Sequence, residues 1–247
     1  MSTQTPQDVV VVGGGVAGLS AAVFTARHGF DTLVLDAGAS ILRRNAHLEN
    51  VPGFPAGVNG RQFLDLLGEQ ADEAGATRHE AVVTRVQRAD DGDGFVVETD
   101  GDDRYHTRHV VAATKNETSY LADLDGVGLI DRGKAFVDTD ERGRTGVDGL
   151  YAAGRLAEKP HQVAVCAGHG AEVGVAILED DDQPFYHDWV TPEGYFTDRG
   201  RDLPPGCEEI DTEERQRREQ QSLARMRERF AEPHPAEQVT HPSLEED

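Results

Sequence analysis

The hydrophobic pattern of the chain changes period several times, and each change marks a structural element. Residues 9–12 are four consecutive valines. An uninterrupted β-branched run reads as a strand buried on both faces. It leads directly into Gly13-Gly14-Gly15-Val16-Ala17-Gly18, and then into a segment where Ala17, Ala21, Ala22 and Ala26 recur at helical spacing. His28-Gly29 is the expected helix end. A second apolar run, residues 32–35, closes on Asp36. Strand, Gly-x-Gly-x-x-Gly turn, helix and acid-terminated strand together form the pattern of a dinucleotide-binding βαβ unit. Gly13 is expected to permit the tight turn, Gly15 to let a pyrophosphate approach, and Gly18 to let helix and strand touch. Asp36 would accept hydrogen bonds from a ribose. The diphosphate would lie at the helix N-terminus, where unpaired N–H groups and the dipole favour an anion. Taken alone, the same glycines also suit a βαβ turn without ligand.

Downstream, residues 41–60 form a Pro/Gly-bearing loop. Residues 60–75 are predicted as a helix with Phe63, Leu64, Leu67, Gln70 and Ala71 on one face and Gly75 as its stop. The period then falls to two. Residues 81–88, 94–99 and 104–106 are predicted as short strands separated by acidic turns at 90–93 and 100–103, a small antiparallel meander. Residues 110–114 return to a buried-strand pattern. The connecting segment 115–148 holds a possible strand at 135–138. Residues 149–154 form another strand-to-turn, and 161–178 an apolar, small-residue helix. The expected fold class is α/β: a Rossmann-like FAD/NAD(P)-binding three-layer fold with a small antiparallel β-meander. It occupies residues 1–180. Residues 181–247 form a C-terminal aromatic and helical extension. Phe185, Tyr186, Trp189, Tyr195 and Phe196 crowd its start, and read as a clamp on the core, a subunit contact or a cover for a cofactor mouth. A charged helix at 211–230 follows, with a capping box of Asp211 and Glu214 and a thin stripe of Leu223, Met226 and Phe230. The tail from Pro233 is expected to be disordered.

Charge narrows the possible partners. The chain has 46 acidic and 24 basic residues and a net charge of −22. That argues against nucleic acid, which requires a basic face. The acid is spread along the chain, which favours adaptation to high salt over a dedicated surface for a basic partner. No apolar run reaches the ~18 residues of a membrane span, and the N-terminal residues lack a charged-then-apolar signal pattern. A cytoplasmic location without membrane attachment is therefore expected. Cys166 and Cys207 are far apart, form no Cys-x-x-Cys and suit no cysteine zinc site; Cys166 reads as a packed thiol. His47, His161, His169 and His187 are scattered and read as surface or capping residues, with no metal site.

Five segments in order carry a further implication: VVVVGGGVAGLSAA (9–22), LENVPGFP (48–55), HVVAAT (109–114), GLYAAGR (149–155) and HQVAVCAGHGAEVGVAI (161–177). Together they resemble the flavin-binding half of the low-molecular-weight thioredoxin reductases, in the pyridine nucleotide–disulfide oxidoreductase group, over about residues 7–180. The resemblance implies FAD. Gly13, Gly15, Val16, Ala17 and Gly18 would line its pyrophosphate, and Asp36 would meet the adenosine ribose. Asn50 would lie near the isoalloxazine, Val82 or Val83 would reach adenine through the backbone, and Thr114 would stand at the strand exit. Gly154, Arg155, Gln162 and Val163 would sit at the ribityl and pyrimidine end. His161 stands where the family often has Arg. Pro160 pre-sets a helix start there, and that helix N-terminus would favour negative charge at the flavin N1 and C2=O. A homodimer is implied as well.

The departures from the family matter equally. The segment 115–148 is too short for the family's second nucleotide domain, and has neither a second glycine fingerprint nor the redox Cys-x-x-Cys. The expected function is therefore a single-domain FAD-dependent oxidoreductase, passing electrons between flavin and an unidentified donor or acceptor, without thioredoxin reductase activity. Lys115 replaces a family Gly. Arg155 stands where the family has an Asp that hydrogen-bonds the flavin chain, and Arg43 and Arg44 sit in the loop that usually carries Gly-Gly-Gln. Arg155 cannot accept those hydrogen bonds and can pair with phosphate. Together with Lys115 it favours the alternative, a non-catalytic nucleotide-binding or regulatory protein of the same fold.

Overall fold

The four valines form the centre of a seven-stranded sheet. In the computed structural model, which describes residues 6–90, 92–181, 184 and 187–244, β1 (Gln7–Val12) pairs in parallel with β2 (Thr32–Asp36) on one side and with β6 (Arg104–Ala112) on the other. Val9, Val10 and Val11 are wholly inaccessible, as a strand enclosed by neighbours and helices requires. Helix α1 (Val16–Arg27) links β1 to β2. Helix α2 (Gly60–Glu73) leads to β3 (Thr77–Glu80), which pairs in parallel with β2 at the sheet edge. The strand β3 was not expected: its sequence TRHE is polar and exposed throughout, so it carries no hydrophobic alternation to read.

The meander is present, with one correction. β4 (Val83–Arg88) pairs antiparallel with β5 (Phe95–Thr99), which pairs antiparallel with β6. The segments expected as two strands, 104–106 and 110–114, are one nine-residue strand. Its first half belongs to the meander. Its second half runs parallel to β1 and to β9 (Leu150–Ala152). Arg108 and His109 interrupt the apolar pattern without interrupting the ladder, and Thr107 Oγ1 donates to the His109 carbonyl at 2.9 Å. Between β6 and β9 lie a 3-10 turn at Ser119–Leu121 and a hairpin, β7 (Leu129–Asp131) with β8 (Ala135–Val137).

Helix α3 (Val163–Asp180) crosses α1 in backbone contact. A Cβ on Gly170 would stand 2.1 Å from the Ala17 carbonyl oxygen, so this crossing requires glycine. The expected helix start at His161 is corrected to Val163. The buried face of α2 also differs from expectation. Arg61, Leu64, Gly68 and Ala71 are buried, whereas Phe63 and Leu67 are half-buried and Gln70 is exposed. Arg61 turns inward because Nη1 donates to the Arg43 and Asn45 carbonyls.

Contacts divide the chain at Asp180, with the second unit running Asp181–Glu237. In it, β10 (Trp189–Pro192) pairs in parallel with β11 (Cys207–Ile210). Trp189, Tyr195 and Phe196 meet edge to face, with ring centroids 5.0–6.0 Å apart. Phe185 and Tyr186, expected in the same cluster, lie outside the described residues. Helix α4 (Thr212–Arg229) is capped by Asp211, which accepts the Glu214 N–H at 2.7 Å. The Glu214 carboxylate is held by Arg217 and Arg218, so the capping box forms only in half. Leu223, Met226 and Phe230 are exposed. The tail expectation is corrected for its later part. Residues 238–244 return to the first unit: the Val239 N–H donates to the Arg43 carbonyl at 3.0 Å and Gln238 Nε2 to the Arg44 carbonyl at 2.7 Å.

Candidate functional site

The C-terminal ends of β1, β2 and β6 open into a cavity of about 530 Å³, within the range of roughly 300–1,000 Å³ that ligand sites occupy. Its floor is the turn between β1 and α1. Gly13 has φ +110°, and a Cβ there would meet the Ala113 carbonyl oxygen at 2.7 Å. A Cβ on Gly18 would lie 2.0 Å from the Gly13 carbonyl oxygen. Gly15 differs: its Cβ would meet nothing nearer than Ser40 Oγ at 4.0 Å. Gly15 is also the N-cap of α1, and no side chain caps this helix. The first-turn N–H groups of Val16 and Ala17 therefore face the cavity wall without a side-chain acceptor, an arrangement suited to an anion. Gly14 was not singled out from the sequence, yet a Cβ on it would stand 2.6 Å from the Asp36 carboxylate. Asp36 packs against that bare backbone and accepts the Gly38 N–H at 3.1 Å.

The cavity extends past Val82 and Val83 at one end and reaches Thr114, Lys115, Arg155, His161, Gln162 and Val163 at the other. Val82 exchanges two hydrogen bonds with Asp100: its N–H donates to the Asp100 carboxylate at 3.2 Å and its carbonyl accepts the Asp100 N–H at 3.0 Å. Its backbone is thus already engaged. Thr114 Oγ1 donates to the Glu117 carbonyl at 2.6 Å and lies 2.9 Å from the buried Tyr120 hydroxyl. Asn50 does not line the cavity, but its Nδ2 donates to Gln162 Oε1 at 2.8 Å. The tie brings the loop at 48–55 to the N-terminus of α3. Gly154 lies behind the wall, and a Cβ there would meet Ala17 Cβ at 2.6 Å.

His169 is a correction. It was read as a surface or capping residue, yet it is buried, and its Nδ1 accepts the Gly154 N–H at 3.0 Å. An accepting Nδ1 requires the ring to be neutral. Burial, aided by nearby Lys159, pushes its pKa down in keeping with this. His169 thereby fixes the turn that bears Arg155. A sequence signal existed: Cys166, His169, Val173 and Ile177 share one helical face with spacings of three and four. Cys166 is buried, as expected, and also lines the cavity. Burial pushes its thiol pKa up, and the thiol donates to the Pro160 carbonyl at 3.5 Å.

The far end of the cavity is cationic. Lys115 adopts φ +66°, the left-handed region that non-glycine residues seldom occupy. Arg155 lies with Cζ 4.8 Å from the Phe136 ring centroid, and Nη1 donates weakly to the Lys159 carbonyl at 3.4 Å. Burial and then the charges of Arg44, Lys134 and Arg155 push the Lys115 pKa down. Burial and then Lys115, Arg155 and Lys134 do the same to His161. Among the described residues, no helix is long and apolar enough to cross a membrane, and no group of three or more His, Cys, Asp or Glu residues is placed to hold a metal ion.

Comparison with known proteins bears on the fold and the cofactor. Residues 8–46 match the family described as FAD dependent oxidoreductase. The chain is 30% identical over 131 residues to a thioredoxin reductase of Listeria monocytogenes, covering 52% of this chain and 40% of that one. It is 27% identical over 198 residues to a dihydrolipoyl dehydrogenase of Haloferax volcanii, covering 78% and 38%. The chain thus spans about 40% of the length of these relatives. Among solved structures, a thioredoxin reductase from Gloeobacter violaceus superposes with TM-score 0.65 at 18% identity, covering 74% of this chain and 98% of that one. The T. acidophilum thioredoxin reductase gives 0.64 at 20% identity, covering 72% and 99%. The fold is that of the thioredoxin reductase-like FAD-binding proteins, and FAD is the cofactor that the matched family names.

Proposed function

We propose that this chain is an FAD-dependent oxidoreductase whose donor reaches the flavin directly, without a nicotinamide-nucleotide domain of its own. One observation carries the reading: an uncapped helix N-terminus, a bare Gly15 and the Asp36 carboxylate face one cavity that continues to the N-terminus of α3. The N–H groups of Val16 and Ala17 would hold the pyrophosphate, and Asp36 the ribose. The Gln162–Asn50 pair and the N-terminus of α3 would orient the ring end. Bound FAD would supply one- and two-electron transfer. His161 would donate to the pyrimidine edge.

The region where relatives would carry an inserted domain holds only the Ser119–Leu121 turn and the β7–β8 hairpin here. Its shortness favours a donor that approaches from solution. The contrast in coverage, about 40% of relatives in sequence but nearly all of the solved chains in superposition, fits a segment internal to those proteins. By the same reading the protein works as a cytoplasmic homodimer suited to high salt, without nucleic acid. The test mixes FAD-loaded protein anaerobically with reduced methyl viologen or with NADPH and follows the flavin band near ~450 nm. Fast bleaching by the viologen without saturable reduction by NADPH is expected. Saturable reduction by NADPH would contradict the reading.

Arg155 favours a second reading, a nucleotide-binding protein without catalysis, because it stacks on Phe136 and offers no acceptor to the flavin chain. Arg155→Asp separates the two. Tighter FAD binding supports a flavin site, and no gain supports the regulatory protein.

A further inference from the structure

A second cavity of about 440 Å³ adjoins the first and shares Arg155 with it. It is lined by Arg132, Gly133, Lys134, Phe136, Arg155 and Glu158. Its charge is opposite to that of the chain as a whole, in which acids outnumber bases 46 to 24. The chain has only three lysines; Lys134 lines this cavity and Lys115 the adjoining one. Neighbouring carboxylates are already engaged. Glu158 pairs with Arg132 at 3.0 Å, Glu117 accepts the Ser119 N–H at 2.8 Å, and Asp131 accepts the Gly133 N–H at 2.8 Å. Among the described residues, Lys115, Lys134 and Arg155 have no carboxylate partner.

Lys115, Lys134 and Arg155, spread over the two adjoining cavities, repel one another, and an anion bound among them offsets that repulsion. Two non-glycine residues near this junction are left-handed: Lys115 at φ +66°, on the first cavity, and Glu158 at φ +57°, on the second. Such backbone is unfavourable, and it clusters at functional sites. Arg155 lines both cavities, Lys115 lines only the first, and Lys134 and Arg132 line only the second. The second cavity therefore presents cations that the dinucleotide itself does not use.

We propose that this open pocket binds the anionic end of the small substrate or redox partner, a molecule carrying at least two negative charges as phosphate or carboxylate. Lys134 and Arg155 hold the charged end, and Arg155, common to both cavities, marks where they meet, so the remainder of the molecule points towards the flavin. The proposal rests on the FAD reading only for that orientation; the anion site itself does not require FAD.

Calorimetric titration with inorganic pyrophosphate, and separately with citrate, at constant ionic strength in KCl tests it, using FAD-loaded and FAD-free protein. Binding to both forms is expected, weakened about tenfold or more by Lys134→Glu and retained by Lys134→Arg. FAD affinity should stay within about twofold in both variants, since Lys134 lies outside the cofactor cavity. Pyrophosphate binding that disappears on FAD loading, or that survives Lys134→Glu unchanged, would overturn the proposal: the cations would then serve the cofactor alone. A preference for pyrophosphate over citrate, or the reverse, assigns the anion as phosphate or carboxylate. Failure of the parent chain and of both Lys134 variants to bind FAD, while anion binding follows the Lys134 pattern, would overturn the FAD reading and leave the anion pocket standing.

Discussion

The two ends of the first cavity are built from opposite materials. The β1–α1 end is backbone: glycines, uncapped N–H groups and one carboxylate. The far end is side chain: Lys115, Arg155 and His161, two cations and an imidazole around partly buried space. Apart from the open position at Gly15, the first end holds its shape through contacts that permit almost no added atom. The second holds like charges together against their repulsion. A glycine cradle of this kind serves any dinucleotide, whereas the cationic end departs from the plain fold and carries what is particular to this protein.

The largest expected effect lies inside the cradle. Gly18→Ala forces a Cβ to 2.0 Å from the Gly13 carbonyl oxygen, and backbone must move. A loss of about 3 kcal/mol or more is expected by chemical denaturation. Gly15→Asp, three residues earlier, has the opposite signature. Space is open there, and Asp is a favoured N-cap, so stability holds or rises slightly. A carboxylate at the pyrophosphate position should nonetheless weaken FAD binding by roughly a hundredfold. If Gly15→Asp bound FAD normally, the diphosphate would not lie at that helix end.

His169, which supports the turn between the two ends, comes next. His169→Ala leaves the buried Gly154 N–H without its acceptor and opens space, for an expected loss of about 2–3 kcal/mol. Because burial lowers the folded-state pKa of His169, the unfolded chain takes up a proton that the folded chain refuses. Stability should thus fall as pH drops below about 6.5, the unfolded value. Melting temperatures between pH 7.5 and 5.5 should show this slope, shallower in His169→Ala. An equal slope in both would assign the pH dependence elsewhere.

Lys115→Gly sharpens the comparison from the cationic end. Relief of the left-handed backbone should stabilise the protein by up to about 1 kcal/mol, after allowing for the freedom glycine gains when unfolded, while anion affinity falls. A variant both less stable and poorer at binding would show that Lys115 supports structure instead. The smallest effect belongs outside the site. Asp180 accepts from Arg144 at 2.6 and 2.7 Å and from the Tyr151 hydroxyl at 2.9 Å. The Arg144 bond first, and then Tyr151, hold its pKa down. The contribution is present above the ordinary carboxylate value and lost as pH falls through the lower folded one. As the pair is about one-third exposed, Asp180→Asn should cost under about 1 kcal/mol at neutral pH.

Much of this was legible in the sequence because it is local. The valine run, the glycine turn, the alanine-faced helix and Asp36 follow one another within 30 residues, and each imposes its own geometry. The meander was legible through its period. What escaped depended on partners distant in the chain. The strand β3 is polar and exists because β2 offers it an edge. Arg108 and His109 read as a break in the sequence because the ladder that carries β6 past them lies on other strands. Gly14 became meaningful only once Asp36 was placed beside it, and His169 only once the Gly154 N–H was. The meeting of Lys134 with Lys115 and Arg155 depends on the β7–β8 hairpin, whose position no spacing reveals.

The central claim is that this cavity holds FAD. The most direct measurement is the visible absorption spectrum of the full chain purified in high salt, before and after adding FAD and removing the excess. A flavin band near ~450 nm that is retained by the protein and lost in Gly15→Asp is the predicted result. A protein that stays colourless after FAD is added, while folded, would contradict the account.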